Sequence, residues 1–200
     1  MPDASSIPEK KSPGAEMRRR ILDAAALSLA ENGYQATTLR GIADVAGLKA
    51  GSIYYHFASK EQITVEILNE GVEYVSDAVS RAVDALPPDA EGRTVLKAAI
   101  DAHLSALSAH KAYTRASIRC FSMVPEDIRE QTIETRRDFD GIWLDTLKRA
   151  RSHGSLTGHT DLREVHRIIL GALNWTIEKR GGPSTRDHAL SETLLSLLAS

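Results

Sequence analysis

The sequence predicts an all-α protein of about nine helices, and three observations lead to this prediction. Apolar residues recur at spacings of three and four along most of the chain, which is the period of an amphipathic helix. No segment alternates strictly between apolar and polar residues, as a half-buried strand would. Glycine and proline residues fall between the periodic segments, where they are expected to end helices.

Composition is that of a globular protein, with 42% hydrophobic and 26% charged residues in 200. The net charge is −2, divided as +2 over residues 1–60 and −4 over residues 61–200, so a polyanion should meet the N-terminal part. The single Cys120 excludes an internal disulfide and a cysteine-based zinc finger. No apolar run approaches about 18 residues, and the N-terminus lacks the apolar stretch of a signal peptide, so we expect a soluble, cytoplasmic protein.

Residues 1–15 contain three proline and three serine residues and no aromatic residue, which predicts a disordered arm. Lys10 and Lys11 could carry it to a phosphate backbone, or it could be a solvated tail. A first helix is predicted from Glu16, and Gly33 is its expected C-cap. Its apolar stripe consists of Ile21, Leu22, Ala25 and Leu29.

A second, short helix follows Thr37 and Thr38, either of which can cap its N-terminus with a hydroxyl group. Gly47 ends this helix, because a reversal of the chain through the left-handed region is free for glycine. A third short helix covers roughly residues 50–56.

Ser59 and Gln62 resemble a capping box that opens a long fourth helix, which ends at Pro87 and Pro88. Pro125 marks the start of a later helix. The acidic residues after it are stabilising at a helix N-terminus, which is the positive end of the helix dipole. Five helices are predicted beyond the proline pair, at residues 92–109, 111–123, 126–152, 161–180 and 185–199.

Two short helices joined by a tight turn with glycine form a helix-turn-helix, whose second helix lies in the major groove of DNA. Lys49 can donate to guanine, Ser52 can bond to several bases, and Ala50 and Gly51 allow close approach. Groups suited to phosphate oxygens surround this helix: Arg18, Thr37, Thr38, Arg40, Tyr54, Tyr55, His56 and Lys60. Each of them could instead cap a helix, pack or be solvated, but their collection around one short helix in an acidic protein favours DNA binding.

The segments AAALSLAENGY, TTLRGIADVAG, GSIYYHF and SKE, within residues 15–71, resemble the DNA-binding region of the TetR family of bacterial transcriptional regulators. The resemblance implies an all-helical homodimer whose first three helices bind DNA. It also implies a larger C-terminal domain that binds a small-molecule inducer and dimerises through its last two helices. The corresponding domains are an arm at 1–15, a DNA-binding domain at 16–62 and a C-terminal domain at 63–200. By position, the resemblance assigns DNA contacts to Thr37, Thr38, Lys49, Ser52, Tyr54, Tyr55, His56 and Lys60.

The last two predicted helices each carry a wide apolar face, which favours contact on two sides. Two such helices from each of two subunits can form a four-helix interface, although both could also pack within one subunit. A dimer would hold two recognition helices about 34–36 Å apart, the spacing that matches a palindrome.

The ligand pocket is expected among helices four to eight, lined by apolar and aromatic residues with a few polar groups. The candidate lining residues are His103, Leu107, Tyr113, Arg119, Met123, Phe139, Trp143 and Trp175. Any of them could instead be a packing residue. The segment WTIEKRGGPST resembles a TetR subgroup that regulates lipid and steroid breakdown, through Trp175, Arg180, Gly181, Gly182 and Pro183. That resemblance implies an acyl- or steroid-type coenzyme A thioester as the effector.

An enzyme is not expected, because the motifs GxSxG, GxxxxGK[ST], GxGxxG and HExxH are all missing from the sequence. His153 and His159 share a glycine-rich loop, but a solvated loop explains them better than a metal site. No cofactor and no metal are expected. Non-specific DNA binding is disfavoured by the net charge of −2. The sequence predicts a repressor that a small molecule releases from a palindromic operator.

Overall fold

The computed structural model describes residues 12–156, 161–178 and 185–198, which form nine α-helices and no strand. The all-α prediction is confirmed. The helices are α1 (Pro13–Ala36), α2 (Leu39–Ala46), α3 (Ala50–His56), α4 (Lys60–Asp84), α5 (Gly92–Ala109), α6 (Lys111–Cys120), α7 (Glu126–Ser152), α8 (Leu162–Glu178) and α9 (Thr185–Leu198). Within the described ranges, no helix combines the length and apolarity that crossing a membrane requires.

The helix bounds differ from the sequence prediction chiefly at three places. α1 continues to Ala36, and Gly33, with φ 76°, is a non-helical residue inside it rather than its C-cap. α1 begins at Pro13 rather than at Glu16, because the Ser12 hydroxyl accepts a hydrogen bond from the Ala15 amide at 3.3 Å. Residues 13–15 of the predicted arm are therefore helical, and residues 1–11 lie outside the described part of the chain. α6 ends at Cys120 rather than at residue 123, where the chain turns towards α7.

Two hydrophobic clusters form the interior, and α4 contributes to both. The first cluster joins α1, α2 and α3 with Ile63, Ile67 and Leu68 of α4 and with buried residues of α6. The second cluster joins the C-terminal part of α4 with α5, α7, α8 and α9. The packing of the N-terminal helices thus continues past residue 62, where the sequence suggested a domain boundary.

α4 and α6 cross in close contact at Gly71. A β-carbon at this position would lie 2.6 Å from the Tyr113 carbonyl oxygen and 2.8 Å from the Ser117 β-carbon. The Ser117 hydroxyl donates a hydrogen bond to the Leu68 carbonyl at 2.8 Å, next to the same crossing. The helix that follows the DNA-binding module is therefore joined to α6 nearly backbone to backbone.

Candidate nucleic-acid interface and effector site

Local capping explains the helix-turn-helix geometry. The Thr38 hydroxyl accepts a hydrogen bond from the Gly41 amide at 3.1 Å and caps α2. Gly47 ends α2 with φ 64°, in the left-handed region where a side chain is strained. A β-carbon at Gly47 would also lie 3.0 Å from Nη2 of Arg20, so α1 closes over this turn. Ile53 is fully buried and fixes α3 against the first cluster.

The outer face of α3 is open to solvent. Lys49, Ala50 and Gly51 at its N-terminus are exposed. Tyr54 is 63% exposed and Tyr55 is 87% exposed, which excludes the interpretation of these rings as half-buried packing residues. Ser52 and His56 on the same helix are half-buried. At the N-terminus of α2, Thr38 and Arg40 are exposed as well.

Three of the predicted DNA-contact residues are engaged within the protein. The two Oε atoms of Glu66 accept hydrogen bonds from Arg18 at 2.5 and 2.6 Å, and the Arg18 guanidinium covers the Phe57 ring. The buried Thr37 hydroxyl donates to the Gly33 carbonyl at 2.8 Å. Lys60 donates to the Tyr34 carbonyl at 3.1 Å. These residues hold α1, α2 and α4 together.

Arg20 is a residue that the sequence analysis did not single out. Three arginines stand together at residues 18–20, and the helical period does not say which of them reaches the turn. Arg20 is exposed and its guanidinium lies at the Gly47 turn. It belongs with the cationic groups around α3.

A polar joint connects α1 and α4 with α6. Arg19 forms ion pairs with Glu70 at 2.6 Å and with Asp23 at 3.0 Å. The Tyr113 hydroxyl donates to Asp23 at 2.7 Å, and burial, followed by this hydrogen bond, raises the pKa of Tyr113. His110 Nε2 lies 3.0 Å from Glu70, and its ring stacks on Tyr113 at 4.2 Å. These contacts tie α6 to both α1 and α4.

Only some of the predicted ligand-lining residues come together. The rings of Phe139 and Trp143 lie 5.9 and 5.7 Å from the ring of His103, and Leu107 is buried in the same second cluster. His166, which the sequence analysis did not single out, lies 6.3 Å from Trp143. Its neighbours in the sequence, Val165 and Arg167, gave no sign of a buried polar role.

The remaining candidate lining residues lie elsewhere. Arg119 donates to the Ala30 and Glu31 carbonyls at 3.0 and 3.1 Å, where it caps part of α1. Met123 is exposed near Gly33, and Tyr113 belongs to the polar joint. These three side chains face α1. Trp175 lies on the solvent side of α8, and Arg180, Gly181, Gly182 and Pro183 fall outside the described residues.

Burial keeps both histidines of the second cluster uncharged at neutral pH. Desolvation lowers the pKa of His103 from 6.5 to about 4, although a neighbouring Asn174 side chain opposes the shift. Desolvation also lowers the pKa of His166, and Asp140 opposes it. The interior therefore offers neutral imidazoles, which can each donate one hydrogen bond and accept one.

A surface cleft of about 260 Å³ lies between α4 and α7. Its walls are Ser80, Val83, Asp84, Ile142, Asp145, Thr146 and Arg149. Over the described ranges, no three histidine, cysteine or acidic side chains converge as a metal site would require.

Comparison with known proteins identifies the family. Residues 21–67 match "Bacterial regulatory proteins, tetR family", and residues 89–197 match "Tetracyclin repressor-like, C-terminal domain". The second match alone covers more than half of the chain. The chain belongs to the TetR family. Membership makes it a DNA-binding transcriptional regulator rather than an enzyme.

Similar TetR-family proteins extend over nearly the whole chain. The HTH-type transcriptional repressor KstR2 of Mycolicibacterium smegmatis is 29% identical over 196 residues, which are 96% of this chain and 93% of that protein. The fatty acid metabolism regulator protein of Bacillus subtilis is 25% identical, over 90% and 93% of the two chains. The structure of the ketosteroid transcriptional regulator KstR2 of Mycobacterium tuberculosis has a TM-score of 0.77 at 25% identity, covering 96% and 97%.

Proposed function

We propose that this TetR-family protein is a homodimeric repressor that acts in the cytoplasm and leaves a palindromic operator when a small molecule binds. The observation that carries the DNA-binding part is the exposed outer face of α3 on a buried anchor. Lys49, Tyr54 and Tyr55 are presented to solvent, while Ile53 fixes the helix from behind. A rigid helix with exposed polar groups at its N-terminus suits the major groove.

The groups around α3 divide into two roles. Lys49 and Ser52, with the small Ala50 and Gly51, meet base edges, because they occupy the first turn of the recognition helix. Thr38, Arg40, Tyr54, Tyr55 and His56 meet phosphate oxygens, which fix the register of the protein on the duplex. Arg18, Thr37 and Lys60 support this surface through the internal contacts described above.

Dimerisation uses α8 and α9. Ile168 is 65% exposed on α8 and Leu197 is 71% exposed on α9, although both helices also contribute buried residues to the second cluster. Gly171 on α8 is exposed, with open space around the position of its missing side chain, and it would let a partner helix approach closely. Two apolar helices from each copy then form a four-helix interface.

The effector is an acyl- or steroid-type coenzyme A thioester, and its binding among α4 to α8 moves α4. Support comes from the relatives named for ketosteroid regulation and fatty acid metabolism. The movement reaches the DNA-binding helices through α4 and through the polar joint at Glu70. A release of about 100-fold requires about 2.7 kcal/mol of difference in effector affinity between the two states.

The first experiment selects genomic DNA fragments on the purified protein at physiological salt, with competitor DNA present. We expect one palindromic motif with half-sites about one helical turn apart. The same operator is then titrated with coenzyme A thioesters, which should release the protein. Recovery of no motif would overturn the proposal, and binding that falls steeply with salt without a footprint would indicate non-specific contact instead.

A further inference from the structure

Three nitrogen-bearing rings meet inside the second hydrophobic cluster. His103 lies on α5, Trp143 on α7 and His166 on α8, and Phe139 packs beside them. His103 is 1% exposed and Trp143 is completely buried. Three helices of the C-terminal part thus bring polar rings to one place that water does not reach from outside.

By hydrogen-bond geometry, the ring nitrogens in this place have no partner within the described residues, although the Asn174 side chain lies close enough to act on His103. This holds for both nitrogens of His103, for Nε1 of Trp143 and for Nε2 of His166. The nearest carboxylate oxygen of Asp140 is 3.7 Å from His166, beyond hydrogen-bond distance. Buried polar groups in folded proteins are nearly always paired, since an unpaired one costs about 1–3 kcal/mol. Asn174 can satisfy at most one nitrogen of His103, so the atoms that remain indicate that something outside the chain completes them.

The hydrogen-bonding capacity of the rings indicates which kind of ligand atom they can bind. Trp143 can only donate, and a neutral His103 donates from one nitrogen. The ring neighbours of His103 are uncharged, so a carboxylate placed here would lose its hydration without a cation to replace it. An uncharged oxygen with two lone pairs accepts from both rings at no such cost.

We propose that His103 and Trp143 bind the carbonyl oxygen of an apolar effector, with His166 at the edge of the same site. The inference rests on the proposed function, since it names the chemical group by which the effector is recognised. A ketone and a thioester both supply such an oxygen. The apolar side chains of the second cluster enclose the rest of the molecule.

The test uses two pairs of probes that differ in the carbonyl oxygen. One pair is stearoyl-coenzyme A and its thioether analogue, and the other is androst-4-ene-3,17-dione and androst-4-ene. Dissociation constants are measured by calorimetry for the full-length wild type, His103→Phe and Trp143→Phe. His153→Phe serves as the matched control, since it makes the same replacement at a half-buried histidine at the end of α7, away from these rings.

We expect the wild type and His153→Phe to favour the carbonyl member of at least one pair by about tenfold. The preference should fall to within about twofold in His103→Phe and in Trp143→Phe. The probe pair that shows this preference tells whether the bound oxygen belongs to a thioester or to a ketone. An unchanged preference in both variants, or no binding of either carbonyl probe by the wild type at about 1 mM, overturns the inference.

A second measurement needs no variant of the site. The indole N–H resonance of Trp143, assigned with Trp175→Phe, should shift downfield with the bound carbonyl probe and not with its oxygen-free partner. Identical shifts with both members would also overturn the inference. Operator binding by the ligand-free proteins is followed in parallel. If the wild type binds the operator but shows no preference for the carbonyl probes, the proposed carbonyl site is refuted and the DNA-binding function stands. If the wild type does not bind an operator, the proposed function itself is refuted.

Discussion

Replacing Gly71 with alanine tests whether α4 and α6 must touch backbone to backbone. The new β-carbon would lie 2.6 Å from the Tyr113 carbonyl oxygen, where ordinary contact begins at 3.4 Å. One helix must therefore move by about 0.8 Å, which is the difference between these two distances. The hydrogen bond from Ser117 to the Leu68 carbonyl spans the same crossing and would lengthen.

The free energy of unfolding should fall by about 1–3 kcal/mol in Gly71→Ala. Overpacking costs about 1–3 kcal/mol, and a weakened buried hydrogen bond costs about 1 kcal/mol more. The better helix propensity of alanine offsets about 1 kcal/mol of this loss. The sign is therefore opposite to that expected from helix propensity alone.

Gly141→Ala is the matched control, because Gly141 lies inside α7 with nothing within 4 Å of its missing β-carbon. This variant should gain about 0.5–1 kcal/mol. Urea unfolding followed by circular dichroism measures both variants. A Gly71→Ala protein as stable as the wild type, or more stable, would refute the reasoning about the crossing.

Four further predictions concern the surfaces and groups described above. Lys49→Ala should weaken operator binding by about 1–3 kcal/mol and relax one base position, whereas replacement of the exposed Lys111 at the start of α6 with alanine should not; competition with operator variants measures this. Wild-type stability should fall by about 3 kcal/mol as the pH drops from 6.5 to 4, because the pKa of His103 is lower in the folded state; urea unfolding of His103→Phe should lack this part of the pH dependence. Tyr113→Phe removes the hydrogen bond to Asp23 and should cost about 1 kcal/mol, so unchanged unfolding would contradict the polar joint. Ile168→Glu should give a monomer in analytical ultracentrifugation, and a persistent dimer would exclude α8 from the interface.

Local signals in the sequence predicted the helices and the helix-turn-helix well. Thr38, Gly47 and Ser59 act within three or four residues of themselves, so their roles follow from the neighbouring sequence. The helical period also separated the buried Ile53 from the exposed Tyr54 and Tyr55 that follow it.

Partners that are distant in sequence could not be predicted in this way. Arg18 pairs with Glu66, 48 residues away, and no local pattern announces that contact. Tyr113 and Arg119 lie on the face of α6 that turns towards α1. The period of α6 indicates that it has a buried face, but tertiary packing decides which helix covers it.

The sharing of the first hydrophobic cluster between the DNA-binding helices and residues 113–128 bears on the engineering of chimeric regulators. A transplant that joined residues 12–62 to an unrelated sensor would leave behind Ile63, Ile67 and Leu68, and with them the α6 residues that close the cluster. Its exposed apolar surface would favour aggregation over operator binding. A functional graft of this operator specificity must bring the contacting face of α6 with it, or rebuild that face on the new sensor.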